Sequence, residues 1–359
     1  RLGSSGGEAE NVWTGSDMTL PDALRCGQCP QQPRGQRAPR RGGAVAIAAA
    51  AVLAACGGGT SQVETYSPNR MISFGDEASL IVDDGAANGR KYTVNGLDTN
   101  AARDCTLTPI WSQVLATHYG FVYAACNKSA ATPKAFARAL VGAKVGDPAT
   151  GISAQIAEQQ SVGGGLKAGD LVTVMMGVHD LVELNEQVQA GTLSDADARA
   201  EARRRGAQLA AGVNAILGAG TRAIVATVPD MGLSPYARTL ESTSPGAMAR
   251  LTQLSYEFNA SLRTGIDATR FDGRNYGLVL TDDTVAAVSK VPGAFSSYPA
   301  NVTEAACVVA LPQCTSASAD LVASGSTTSH MWADTLRLGP SLHALIGSQA
   351  VARAVDNPF

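Results

Sequence analysis

The chain has 359 residues, 45% hydrophobic and 16% charged, with a formal net charge of −3. That is enough apolar material for a large core. The slight negative balance, with no basic face, excludes electrostatic capture of nucleic acid as the basis of function. The 4 histidines are scattered and form no metal-ligand cluster, so neither a metal nor another cofactor is expected.

Taken in chain order, residues 1–33 are polar and irregular and read as an upstream or disordered segment; the Cys26-x-x-Cys29 spacing has no second pair. Residues 34–56 read as a lipoprotein signal peptide: a basic stretch from Arg34 to Arg41, a short apolar run, then Leu53-Ala54-Ala55-Cys56. This last block resembles the bacterial lipobox, which implies export, acylation of Cys56 and anchorage to the cell envelope, in the periplasm or at the outer membrane. Residues 57–69, opening on Gly57-Gly58-Gly59, form a flexible tether.

The remainder, 70–359, reads as one α/β domain. Short apolar or β-branched runs at 71–74, 121–125, 171–176, 223–228 and 277–280 predict five buried parallel strands. Helical stretches fall near 108–118, 151–161, 193–217, 243–266 and 340–354, and the charged, alanine-rich third of these is expected to be exposed. In such a sheet, ligands bind at the carboxyl ends of the strands, so the residues just after each strand are the informative ones. Cys105, Cys126, Cys307 and Cys314 make an even set in an exported chain. Proximity favours Cys105 with Cys126 and Cys307 with Cys314, among three formal pairings and the alternative of free buried thiols.

The strand-end blocks carry a resemblance. Gly75-Asp76-Glu77-Ala78-Ser79-Leu80 resembles the Gly-Asp-Ser-Leu block of the GDSL/SGNH ester hydrolases, and Gly177-Val178-His179-Asp180 their Gly-x-Asn-Asp block. Val228-Pro229-Asp230, Phe258-Asn259-Ala260-Ser261-Leu262 and Asp334-Thr335-Leu336-Arg337 are similar to later family segments, in the right order across roughly 70–355. The family resemblance implies a three-layer α/β/α fold with a mostly parallel five-stranded sheet of flavodoxin-like type. It also implies hydrolysis of an acyl ester by a serine that a histidine deprotonates and an aspartate supports, with glycine and asparagine donors for the oxyanion.

Three positions depart from that pattern. Glu77 follows Gly-Asp where the nucleophile is expected, so the serine is either displaced to Ser79, itself also readable as a turn residue, or replaced by a carboxylate. His179 stands at the oxyanion asparagine, where an imidazole N–H still donates and the ring is a candidate substitute base. Arg337 holds the place of the general base; a guanidinium cannot accept a proton, and Asp334 is expected to pair with it instead. His330 is the alternative base, Gly142 the candidate glycine donor, and Asp334 the matching aspartate. Two functions follow: a membrane-tethered esterase acting on a small-molecule or lipid ester, or an inactive relative that binds an acyl, sugar or envelope component.

Overall fold

The computed structural model describes residues 66–83, 85, 88–295 and 299–355. Cys56 and the segments 1–33 and 34–56 lie outside the described residues, as does most of the tether.

Five strands form the central sheet: β1 (Arg70–Gly75), β4 (Ala135–Ala137), β5 (Asp170–Met175), β6 (Arg222–Ala226) and β7 (Tyr276–Val279). A short antiparallel pair, β2 (Ile81–Val82) and β3 (Arg90–Lys91), and a parallel pair, β8 (Asn301–Ala305) and β9 (His330–Trp332), lie outside it. The order across the sheet is β4-β1-β5-β6-β7 and every neighbouring pair is parallel. Counting only these five strands, that order is the flavodoxin-like one, whose topological switch point lies between the first and third strands, β1 and β5. Every residue of β5 is buried, as its unbroken Leu171-Val172-Thr173-Val174-Met175 run anticipates for a strand covered on both faces.

Among the described residues eight helices complete the layers: α1 (Trp111–His118), α2 (Ile152–Ser161), α3 (Val178–Gln189), α4 (Asp195–Gly218), α5 (Pro235–Glu241), α6 (Ala247–Gly265), α7 (Thr281–Lys290) and α8 (Pro340–Val355). One sheet face supports a core in which Phe74, Val172 and Val225 meet Ile152 of α2, Leu181 of α3, Val213 of α4 and Phe258 of α6. The other face packs Met71, Leu171 and Ile224 against Leu115 of α1, Val285 of α7 and Ile346 of α8. The three-layer α/β/α architecture is therefore as expected.

Helices α3, α5 and α7 were not expected from the sequence, and two of the expected elements differ from their reading. The strand expected at 121–125 is replaced in the sheet by β4; residues Ala124–Cys126 turn into a 3-10 helix, and Tyr123 keeps a single bridge to Ala135. Burial of the Tyr123 ring, with its hydroxyl 2.5 Å from Ser73 Oγ, accounts for its apolar surroundings without a ladder. Helix α4, expected to be exposed, buries Ala202, Leu209, Val213 and Ile216 along one side. Its Ser194 cap accepts from the Asp197 N–H at 3.1 Å, as the early acidic residues suggested.

Both favoured disulfides form, Cys105–Cys126 and Cys307–Cys314. They suit an oxidising, exported environment, and among the described residues no helix is long and apolar enough to cross a membrane. Each staples one of two insertions that meet at Asn95, whose Nδ2 donates to the carbonyls of Lys91, Pro312 and Cys314 at 3.0, 3.1 and 3.0 Å. With sequence separations of 21 and 7, loop-closure entropy makes the first cross-link the stronger. Replacing Cys105 and Cys126 by alanine is expected to cost about 3 kcal/mol, and the Cys307/Cys314 pair about 1 kcal/mol less. Urea unfolding of the two variants beside the parent measures both.

Candidate functional site

The switch point is built by two glycines. Gly75 ends β1 at φ +145°, and a Cβ there would sit 2.0 Å from the Met175 carbonyl oxygen of β5. Gly177, at φ +136° before α3, would drive a Cβ to 2.7 Å from Phe258 and Val228. Only glycine lets the two chains leave the sheet this closely. Gln155 of α2 grips the Gly75 peptide from both sides, accepting from its N–H and donating to its C=O, each at 2.8 Å. Asn259 of α6 does the same for Val228 after β6, at 2.9 and 2.8 Å. These amide clamps hold the loops rigid, so the side chains that follow are fixed in place.

Those side chains form an ion network. After β1, Asp76 caps the 3-10 helix Glu77–Ser79 through its Oδ1, which accepts from the Ala78 N–H at 3.1 Å. Glu77 points into the switch point, its side chain 3% exposed, with Oε2 at 2.7 Å from His179 Nε2 and Oε1 at 2.7 Å from Arg337 Nη2. Arg337 is itself fixed by Asp334, whose Oδ2 accepts from Nη1 at 2.8 Å while its Oδ1 takes the Leu336 and Arg337 N–H groups at 2.9 and 2.7 Å. The guanidinium also stands over the Tyr92 ring, 5.6 Å from its centroid. Leu336, Arg337 and Leu338 thus lie as a strap across Met175, Val178 and Pro229, and the space left is ≈ 20 Å³. That is room for about one water molecule.

Electrostatics follow from the burial. Desolvation pushes against ionisation of Glu77, but the hydrogen bonds and charges of His179 and Arg337 outweigh it and hold its carboxyl well below the usual range. Burial likewise opposes charge on His179, and Glu77 overrides it, raising the imidazole above its ordinary value. Asp76 moves the other way: burial, then the neighbouring Glu77 charge, push it up, and its Oδ2 is buried with no hydrogen-bond partner. Arg337 is raised by Asp334 and Glu77 in spite of its burial.

The sign of each contribution to stability then follows. Glu77, depressed in the fold, stabilises fully above its ordinary value of 4.5 and loses that contribution as pH falls toward its lowered folded value. His179, raised in the fold, stabilises fully below 6.5 and loses its share as pH rises through the raised value. Asp76, raised by desolvation, opposes folding increasingly as pH rises from 3.8 to about 6 and by a constant amount above that. Urea midpoints of the parent are expected to decline on the alkaline side of neutrality, and the decline to be smaller in His179→Gln.

The candidate residues divide into two groups. Glu77, His179, Asp334 and Arg337 come together at the switch point. Ser79 is wholly buried beside them but turned away, its Oγ accepting from Trp111 Nε1 at 3.1 Å. His330 is buried at the start of β9, with Nδ1 at 2.8 Å from Ser329 Oγ, and has no hydrogen bond to Ser79 or Asp334 among the described residues. Gly142 lies in the turn after β4 at φ +67° and does not line the space around Glu77. Asp180 is structural, accepting from the Val145 N–H at 3.0 Å and from Arg205 at 3.2 Å. The sequence reading missed Gln155, Tyr92 and the unpartnered oxygen of Asp76; Gln155 carries no local signal, because its role depends on a glycine 80 positions away.

The fold and site define a flavodoxin-ordered α/β/α protein whose switch point is closed by an ion network centred on the buried Glu77. No protein-family model and no curated protein matches the chain. Among solved structures it is similar to LAE5, an alpha/beta hydrolase enzyme from the metagenome of Lake Arreo, Spain, at 14% identity and a TM-score of 0.39, covering 81% of this chain and 96% of that one. It is also similar to the protein YXIM from Bacillus subtilis, at 14% identity and a TM-score of 0.34, covering 79% of this chain and 56% of that one. Likenesses this distant bear no argument about chemistry.

Proposed function

We propose that this protein is a catalytically silent relative of the SGNH ester hydrolases, exported and held at the cell envelope through acylated Cys56, where its body serves a binding rather than a hydrolytic role. The observation that carries this reading is the double engagement of Glu77. A carboxylate stands where the family's nucleophilic hydroxyl belongs, with one oxygen committed to Arg337 and the other to His179. Such a carboxylate is stabilised as an acceptor, and a nucleophile in that state would lose two charge-assisted hydrogen bonds on attack.

Other features point the same way. Arg337 supplies no base, Ser79 accepts from Trp111 and is turned away from His179, and the ≈ 20 Å³ beside Glu77 has room for about one water molecule. In this reading His179 is an ion-pair partner rather than an oxyanion donor or substitute base. Asp334, which in the family orients a histidine, here orients a guanidinium. The active esterase reading requires Ser79 to reach His179 or His330, which these hydrogen bonds oppose.

A fluorophosphonate serine-hydrolase probe applied to the body from Gly57 onward tests the proposal. No covalent adduct is expected at Ser79 after peptide mapping. An adduct at Ser79 that His179→Ala abolishes would overturn it.

A further inference from the structure

We propose that β7 is a self-association edge, pairing antiparallel with β7 of a second copy of this chain across a two-fold axis and extending the sheet through both molecules. Strand β7 is the last of the sheet and, among the described residues, is hydrogen-bonded to β6 on one side only. In a parallel ladder alternate residues serve alternate sides. The Asn275 and Val279 carbonyls accept from Ala223 and Thr227 on the β6 side, so Tyr276, Leu278 and Leu280 present their backbone groups outward. Of these groups, the Tyr276 N–H is taken by Asp272 and the Leu280 C=O by Thr284. The N–H and C=O of Leu278, the C=O of Tyr276 and the N–H of Leu280 have no partner among the described residues and remain for an external strand.

Beside this edge runs a groove of ≈ 490 Å³ between α7 and α8, whose apolar walls include Ala287 and Phe295 and whose floor is the β7 edge at Leu278 and Leu280. An apolar edge of this kind is a pairing surface unless it is blunted by charge or covered. The charges at the groove say which partner fits. Asp283 and Arg353 both line it, and neither has an ion-pair partner among the described residues. Asp283 sits in the first turn of α7, immediately past the C-terminal end of β7. Arg353 of α8 packs over the other half of the strand, its Cβ 3.0 Å from the place a Gly277 Cβ would take.

Helices α7 and α8 cover the same sheet face. An antiparallel pairing centred on Leu278, about an axis perpendicular to the sheet, therefore brings the C-terminal end of each β7 beside the first half of the other. Leu278 then exchanges both backbone bonds with Leu278 of the second copy, and the Leu280 N–H reaches the Tyr276 C=O on either side. Asp283 of each copy comes to face Arg353 of the other, so the same complementary pair recurs twice, as an isologous interface requires. A foreign peptide has no reason to match that spacing of charge.

The test is sedimentation equilibrium of the body from Gly57 onward at low salt, with Leu278→Pro, Asp283→Arg, Arg353→Asp and the Asp283→Arg/Arg353→Asp double variant. Proline at 278 removes an N–H that the β6 ladder does not use and trims a half-buried side chain packed on the opposite sheet face, so the fold is expected to survive with some loss of stability while the pairing is lost. The parent is expected to be a dimer that Leu278→Pro renders monomeric. Each single charge reversal is expected to weaken it by about tenfold, and the double reversal to restore it. A monomeric parent, a dimer indifferent to Leu278→Pro, or single reversals that the double variant does not rescue would each overturn the proposal. Circular dichroism checks the fold of every variant, and only folded variants are compared.

Discussion

Glu77→Ala is expected to be the most destabilising single substitution at the switch point, costing about 3–5 kcal/mol. The side chain is 3% exposed and holds both Arg337 and His179. Its removal leaves a guanidinium paired with Asp334 alone and an imidazole whose raised proton affinity has lost its source. Because His179 is free to shed its proton, part of the penalty is relieved above neutrality, and the loss should be larger at pH 6 than at pH 9. Urea unfolding at the two values measures it, together with Arg337→Met and the double variant. The double variant is expected to be more stable than the sum of the singles implies, since an unpaired buried charge is then absent. A cost below about 1 kcal/mol, typical of an exposed pair, would mean that the network does not hold the strap.

The second large effect is a gain of activity. If the chain descends from an SGNH hydrolase as proposed, replacing Glu77 by serine, His179 by asparagine and Arg337 by histidine supplies nucleophile, oxyanion donor and base at the three positions that depart from the family pattern, while Asp334 remains to orient the new imidazole. Loss of a triad member typically removes 10⁴-fold or more. Imperfect positioning after the ion network is removed reduces what can be recovered, so the triple variant is expected to hydrolyse p-nitrophenyl acetate about 10²- to 10³-fold above the background at which the parent stands. Arg337→His alone should gain nothing, because without a hydroxyl at 77 there is nothing for the base to activate. A folded triple variant with no added turnover would argue that Glu77, His179 and Arg337 do not occupy a hydrolase constellation.

The framework was legible in the sequence for identifiable reasons, and so were its gaps. The β5 run has a strand's apolar continuity and ends in Met176-Gly177, and the structure places the turn there. Strand β4 escaped because Ala135-Phe136-Ala137 is too short and alanine-rich to stand out. The richer run at 121–125 owes its apolar character to packing on the sheet edge. Helix α3 was missed although Val178, Leu181, Leu184 and Val188 recur at helical spacing, a signal that attention to the strand-end block concealed. Helices α5 and α7 were also missed, although Ser234-Pro235 is a start signal for the first.

At the site, sequence analysis expected the Asp334–Arg337 pair because it is local. The Glu77–Arg337 contact joins residues 260 positions apart and exists only once β1 and the strap before α8 meet. Ser79 shows the opposite limit. Two positions beyond Glu77, it belongs to the same 3-10 turn yet points away into the core under Trp111, a distinction set by turn geometry rather than residue type.

The most direct test of the central claim, that the Glu77 ion network has replaced catalytic machinery, is hydrolysis of short and medium acyl p-nitrophenyl esters by the body from Gly57 onward beside Ser79→Ala and Glu77→Ala. The account predicts no turnover above background in the parent and no further loss in either variant; turnover in the parent that Ser79→Ala or Glu77→Ala abolishes while the variant remains folded would contradict it.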